Sequence, residues 1–134
     1  MIKTIGIIGA GTMGSGIAHV AALAGIEVTL HDVSPDVLKR SMERLKSDFR
    51  AGTAKGRLSL TEATEALAAI HPRRNFPDLG HADFIIEAAV EDLSAKKEIF
   101  RKLDAIVRPD VVLATNTSSL SVDELAAGLE HPQR

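Results

Sequence analysis

Apolar positions along the 134-residue chain switch repeatedly between two periods. Short β-branched runs give way to longer stretches in which apolar residues recur every three to four positions, and then the short runs return. This alternation predicts βαβ units around a parallel sheet. Thr4–Ile8 reads as the first strand, apolar on both faces through Ile5, Ile7 and Ile8, as a strand covered on both sides requires. Thr12–Ala24 reads as a helix of small residues able to pack closely on a sheet, and Glu27–Leu30 as the second strand. Ser34 then stands as an N-cap with Pro35 at the first helical position. The helix that follows carries Leu38, Met42, Leu45 and Phe49 on one stripe and is expected to break at Ala51–Gly56. Ser59-Leu60-Thr61-Glu62 is a capping-box pattern opening a short helix through Ala69. Ile70–Arg73 is expected as a poor or edge strand because it contains Pro72. Asp83–Ala89 is a stronger strand, Leu93–Val107 a helix with Ile99, Leu103 and Ile106/Val107 on one face, and Val111–Ala114 a further strand. A second capping box, Ser121-Val122-Asp123-Glu124, starts a last helix that Gly128 ends. The expected fold class is α/β: a doubly wound, mainly parallel sheet with helices on both faces. Residues 1–134 would form one domain, with a helical arm at about 35–69.

Composition refines this picture chiefly by exclusion. Apolar residues make up 45% and charged residues 25%, a globular mixture, and 16 basic against 18 acidic residues leave a net charge of −2. The whole chain is therefore no general polyanion binder. Cysteine is absent, which removes disulfides, thiolate metal sites, cysteine nucleophiles and redox dithiols, and no metal site is expected. The start is too short and too glycine-broken for a signal peptide, and no apolar run reaches the length of a membrane span. A soluble, cytoplasmic chain with no membrane partner is the expectation. Charge is uneven, however. Between Lys39 and Arg57 seven basic residues (Lys39, Arg40, Arg44, Lys46, Arg50, Lys55, Arg57) face only Glu43 and Asp48, a local +5 against −7 elsewhere. A solvated amphipathic face accounts for this. Nucleic acid is not the expected partner, because Phe49 belongs to the buried stripe and no aromatic is left to stack on a base.

Chemistry enters at Gly9-Ala10-Gly11-Thr12-Met13-Gly14, a G-x-G-x-x-G string. A strand precedes it, a helix follows, and the second strand ends in Asp32, 21 residues after Gly11. Gly9 permits the tight turn, Gly11 lets a pyrophosphate approach the backbone, and Gly14 lets the helix pack against the sheet. The helix N-terminus offers N–H groups and partial positive charge to phosphates. Asp32 would accept hydrogen bonds from both ribose hydroxyls and repel a 2′-phosphate, and Val33, Ser34 and Pro35 supply no cation to neutralise one. The pattern predicts a Rossmann-type site for NAD rather than NADP. A ligand-free glycine turn followed by an exposed strand-end acid is the competing reading.

Two later segments carry a family resemblance: Glu87-Ala88-Ala89-Val90-Glu91-Asp92-Leu93 with Lys96 behind it, and Ala114-Thr115-Asn116-Thr117-Ser118-Ser119-Leu120. Together with the glycine turn they resemble the NAD-binding domain of the L-3-hydroxyacyl-CoA dehydrogenase family, and within it the bacterial 3-hydroxybutyryl-CoA dehydrogenases. The resemblance implies NAD-dependent oxidation of the C3 hydroxyl of a 3-hydroxyacyl-CoA, or the reverse, in fatty-acid or hydroxybutyryl-CoA metabolism. It also implies that Glu91 and Lys96 lie along the nicotinamide half of the cofactor. Ser118 would lie near the nicotinamide and the reacting oxygen, with Asn116 shaping that loop. Lys55, on the basic arm, would hold the phosphorylated end of coenzyme A. Each residue has a plainer reading: Glu91 as an acid favoured at a helix N-terminus, Lys96 as a solvated helix charge, and Ser118 and Ser119 as loop residues bonding local backbone.

The family's catalytic His, paired with a Glu, sits in a Gly-x-His-Phe-Phe-Asn-Pro strand that is not among these residues. His19, His31, His71, His81 and His131 match no such context. His19 is expected to be a packing or surface residue and His31 a structural one. The chain is accordingly expected to be the cofactor-binding portion of the enzyme, a truncated piece or one half of a split chain, inactive alone. The remaining strands and a helical second domain, through which the whole protein would dimerise, lie beyond it in this reading. An exposed sheet edge and unpaired apolar surface would follow. The alternatives are an NAD-dependent dehydrogenase of a small free acid, of the 3-hydroxyisobutyrate or gulonate type, and a non-catalytic nucleotide-binding module.

Overall fold

A computed structural model describes residues 1–134. Five strands, β1 (Thr4–Ile8), β2 (Glu27–His31), β3 (Ile70–Arg73), β4 (Phe84–Glu87) and β5 (Val112–Thr115), pair all-parallel in the order β3-β2-β1-β4-β5. The helices are α1 (Thr12–Leu23), α2 (Pro35–Ala54), α3 (Leu60–Ala68), α4 (Leu93–Ile106) and α5 (Val122–Ala126). A 3-10 helix over Phe76–His81, absent from the periodicity, leads into β4. The fold is the doubly wound, Rossmann-type α/β architecture that the alternating periods predict.

Register determines what this sheet can present. Ile8 pairs with His31 on one side and with Glu87 on the other, and Glu87 pairs with Thr115. The last residues of four strands thus form one row at the carboxyl edge. Asp32, Gly9, Ala88 and Asn116 follow them directly. The chain leaves β1 towards β2 in one direction and reaches β4 in the other, so this edge holds the topological switch point where open α/β sheets bind ligands.

Two hydrophobic clusters hold the row in place. One joins β1, β2 and α1 to α2 and α3 through Ile7, Leu30, Leu45, Phe49 and the small residues Ala18, Ala21 and Ala22. The other joins β4 to α4 and α5 through Ile85, Phe100, Leu103, Val111 and Leu125. Complete burial of side chains such as Ile7, Leu30, Leu45 and Leu103 contributes about 1.5–3 kcal/mol each. At the opposite edge of the sheet Asp83 ties β1 to β4: its Oδ2 accepts from the backbone N–H of Lys3 (2.9 Å) and Thr4 (3.1 Å). Those bonds hold its carboxyl at about 2, below its usual 3.8.

Several expectations need adjustment. The second helix does not break at Ala51 but continues to Ala54; Gly56 then turns the chain at φ +71°, and Leu58 packs back onto the helix at Gly52. The Ser59–Glu62 capping box is complete. Only half of the second one forms: Ser121 accepts from the Glu124 N–H, and α5 runs just five residues. The buried stripe of α4 is Lys96, Phe100, Leu103 and Val107, with Ile99 and Ile106 only partly buried. β3 is an edge strand, as Pro72 requires. β5 forms the other edge, where Val112 is exposed and the Leu113 N–H donates to the Arg134 carbonyl at 2.8 Å. On the α1 side, Ile5, Phe84 and Ile86 floor an open apolar groove of about 590 Å³. The β5 edge is thus paired in part, and the apolar surface on the α1 side is open. No helix is long and apolar enough to cross a membrane.

Candidate functional site

The glycine turn is built by contacts that tolerate no side chain at two of its three glycines. Gly9 stands at φ +100°, and a Cβ there would lie 2.5 Å from the Ala88 carbonyl oxygen. At Gly14 a Cβ would lie 1.7 Å from the Gly9 carbonyl oxygen, so α1 approaches β1 only because that atom is missing. Gly11 differs: a Cβ would meet nothing within 4 Å. The space it faces is open, at the N-cap of a helix that no side chain caps and whose first turn holds no acid. Thr12 and Met13 are exposed in that turn, and the Arg44 guanidinium reaches from α2 to the Thr12 hydroxyl at 3.4 Å. An open, uncapped, positively polarised helix end suits a phosphate group.

Asp32 organises the adjoining corner. Its Oδ2 accepts from the Ala10 N–H at 3.0 Å and its Oδ1 from the Ser34 N–H at 2.9 Å. One carboxylate thereby fixes the glycine turn relative to the start of α2, leaving further lone pairs for ribose hydroxyls. Ala10 itself is buried and its N–H is already spent on Asp32, so it shapes the turn from within. Next to it, His31 is buried; its Nε2 bonds the Arg74 carbonyl at 3.1 Å and its Nδ1 has no partner. Burial pushes the His31 pKa down, outweighing the opposing pull of the Arg74 carbonyl and Asp32. It is a structural imidazole, as expected.

On the other side of the switch point the structure brings Glu91, Lys96, Asn116 and Ser118 to one edge but gives them unequal access. Glu91, Asn116 and Ser118 are exposed. Lys96 is not the solvated helix charge of its plainer reading: its side chain is 2% exposed. Its Nζ lies 2.8 and 2.6 Å from the two Glu87 oxygens and 3.4 Å from Glu91 Oε1. The long amphipathic stem of Lys96 fills a core position on α4 while its ammonium finds counter-charges at the edge. Glu87, Thr115 and Thr117 stand within the two resembling segments, but the sequence assigns them no role of their own. Thr115 Oγ1 donates to Glu87 Oε1 at 2.7 Å, and the Thr117 hydroxyl accepts from the Leu120 N–H at 3.1 Å, ordering the loop that carries Ser118. A readable signal did exist, because Lys96 occupies the apolar stripe shared with Phe100, Leu103 and Val107.

Lys55 is not brought to this edge. It caps the C-terminus of the 20-residue α2, about 30 Å along the helix from Pro35 at 1.5 Å per residue. The histidines have neighbours of their own. His19 stacks on Phe49 with ring centroids 4.6 Å apart, His71 pairs with Glu27, and His131 with Asp104. His81 ends the 3-10 helix before β4.

Comparison with known proteins agrees with this geometry. Residues 4–134 match the family described as 3-hydroxyacyl-CoA dehydrogenase, NAD binding domain. The chain is 42% identical over 134 residues to 3-hydroxybutyryl-CoA dehydrogenase of Bradyrhizobium diazoefficiens, covering all of this chain and 46% of that protein. It superposes on the crystal structure of 3-hydroxybutyryl-CoA dehydrogenase from Escherichia coli K12 with a TM-score of 0.97 at 36% identity. That match covers 98% of this chain and 28% of that one. For (S)-3-hydroxybutyryl-CoA dehydrogenase from Ralstonia eutropha the TM-score is 0.94 at 36% identity, covering 98% and 47%. The chain spans about half the length of the first of these relatives. The match over residues 4–134, nearly the whole chain, places it in the 3-hydroxyacyl-CoA dehydrogenase NAD-binding domain family.

Proposed function

We propose that this chain is the cofactor-binding portion of an NAD-dependent 3-hydroxyacyl-CoA dehydrogenase acting on hydroxybutyryl-type CoA esters. The observation that carries the reading is Gly11: the one glycine of the turn whose missing Cβ faces open space, at an uncapped helix N-terminus beside Asp32. Backbone N–H groups of α1 would bind the pyrophosphate there, and Asp32 would accept from the adenosine ribose. Glu91, with Lys96 behind it, would line the nicotinamide half. NAD, when bound, supplies the acceptor for a hydride leaving the substrate's C3. Ser118 would hydrogen-bond the reacting oxygen, and the Asn116–Leu120 loop would hold that hydroxyl in line. In this reading the chain's own share is binding and orientation. Residues 35–69 would act as an arm whose Lys55 holds the phosphorylated end of coenzyme A.

The test is a calorimetric titration of the NADH-loaded chain with acetoacetyl-CoA. Binding is expected, weakened by Lys55→Ala and by added salt. NADH binding with no response to the CoA ester would restrict the chain to cofactor binding.

A further inference from the structure

Glu87 is the most enclosed charge at this edge of the sheet, yet the functional reading above gives it no role. Its side chain is 0% exposed and both oxygens are saturated. Oε1 accepts from Lys96 Nζ at 2.8 Å and Thr115 Oγ1 at 2.7 Å; Oε2 accepts from Lys96 Nζ at 2.6 Å and the Ala89 N–H at 2.7 Å. Its backbone carbonyl accepts from the Asn116 N–H at 2.8 Å. We infer that Glu87 is a positioning residue for the nicotinamide half of the cofactor site. It holds Lys96, through Lys96 the exposed carboxylate of Glu91, and through Thr115 and Asn116 the loop that carries Ser118. This inference rests on the NAD-binding reading and deepens it.

Three observations converge. A carboxylate accepts at about four lone-pair sites, and Glu87 fills four, so it cannot itself be a ligand group. Lys96 is almost as enclosed, and beyond Glu87 its Nζ reaches the Ala89 carbonyl at 3.5 Å and the Glu91 carboxylate, 3.4 Å away and 46% exposed. The partners of Glu87 come from three separate segments: the turn after β4, the start of α4, and the end of β5 with the loop that follows it. Those segments carry Glu91, Lys96 and Ser118 respectively at or just beyond their Glu87 contacts. An apolar pair of similar volume would fill this space with no charge to desolvate. Packing alone therefore does not call for a carboxylate and an ammonium, whereas fixing two loops and a carboxylate in one geometry does.

Glutamine cannot replace Glu87 here. Each oxygen takes Lys96 as one of its two donors, so in either orientation the amide NH2 faces the ammonium. The experiment compares NADH with ADP-ribose, which lacks the nicotinamide, on the purified chain. Melting by circular dichroism confirms the fold of each variant. Glu87→Gln is expected to weaken NADH by about tenfold or more while ADP-ribose stays within about twofold. Glu87→Met with Lys96→Met removes both charges and leaves no orphan, and the folded double variant is expected to show the same selective loss. NADH affinity within about twofold of wild type in either folded variant overturns the inference, as do equal losses of NADH and ADP-ribose. Wild-type chain that binds neither ligand contradicts the NAD-binding reading itself, a result distinguishable from all of these.

Discussion

Alanine at Gly11 and alanine at Gly14 should have opposite effects, although both glycines belong to one turn. Gly11 stands at φ −73°, ψ −162°, a conformation open to any L residue, and its added Cβ meets nothing within 4 Å. Restricting the unfolded chain favours Gly11→Ala by about 0.4–1 kcal/mol, and the N-cap position, where Gly is favoured over Ala, takes back an amount of the same order. The net change lies within about 0.5 kcal/mol, or roughly 2 °C of melting temperature. The same methyl occupies the space assigned to the pyrophosphate, so NADH affinity should fall by about tenfold or more, at least ~1.4 kcal/mol. Gly14→Ala instead drives a Cβ to 1.7 Å from the Gly9 carbonyl oxygen, far inside the 3.0 Å that real Cβ atoms respect. Relief requires α1 to move off β1 by more than an ångström. Overpacking costs about 1–3 kcal/mol when side chains can yield; here backbone meets backbone, so about 3 kcal/mol or more is expected, a melting point lower by roughly 10 °C. Circular dichroism melts and NADH fluorescence titrations read both quantities. Gly11→Ala chain that binds NADH like wild type would refute the phosphate assignment. Gly14→Ala chain that melts with wild type would refute the helix–turn contact.

Acid titration offers two further checks. The Lys3 and Thr4 N–H bonds hold the Asp83 carboxyl at about 2 against an ordinary 3.8. The stability this group supplies is therefore complete above pH 3.8 and lost as pH falls towards 2. Urea midpoints measured across that window should decline for wild type and much less for Asp83→Asn, which is the weaker protein near neutrality. His31 is lowered from 6.5 chiefly by burial, so the fold disfavours its protonation. Its contribution is complete above pH 6.5 and declines as pH falls below that value; His31→Asn should flatten this part of the stability curve. At the arm, Ser59→Ala removes the acceptor of the Glu62 N–H at 3.0 Å and half of a complete capping box. A loss of about 1 kcal/mol in denaturant unfolding is expected.

What was legible in the sequence was local or periodic. The glycine turn and Asp32 lie within one βαβ unit, so their spacing could be read directly. The N-caps at Ser34 and Ser59 act over three residues, and both form. Less legible were features that tertiary contact decides. α2 outlasts its apparent break, and Leu58 packs back onto it at Gly52, a contact that propensity does not register. The 3-10 helix at Phe76–His81 has no periodic signature and is held by burial of Leu79. The Glu87–Lys96 pair spans nine residues across a strand, a turn and a helix, a separation with no periodic signal of its own. Lys96 shares its spacing with Phe100 and Leu103, a sign of burial that its reading as a solvated helix charge passes over. Its partner could be identified only once β4 and α4 stood side by side.

The chain contains no Trp and no Tyr, so NADH fluorescence can be followed against almost no protein background. Titrating the chain with NADH, beside Asp32→Ala, tests the claim that this edge of the sheet is a dinucleotide site. Saturable enhancement in wild type, lost or weakened by about tenfold or more in the folded variant, is the result expected when ribose hydroxyls bond that carboxylate. Equal binding by both proteins, or none by a folded wild-type chain, would contradict it.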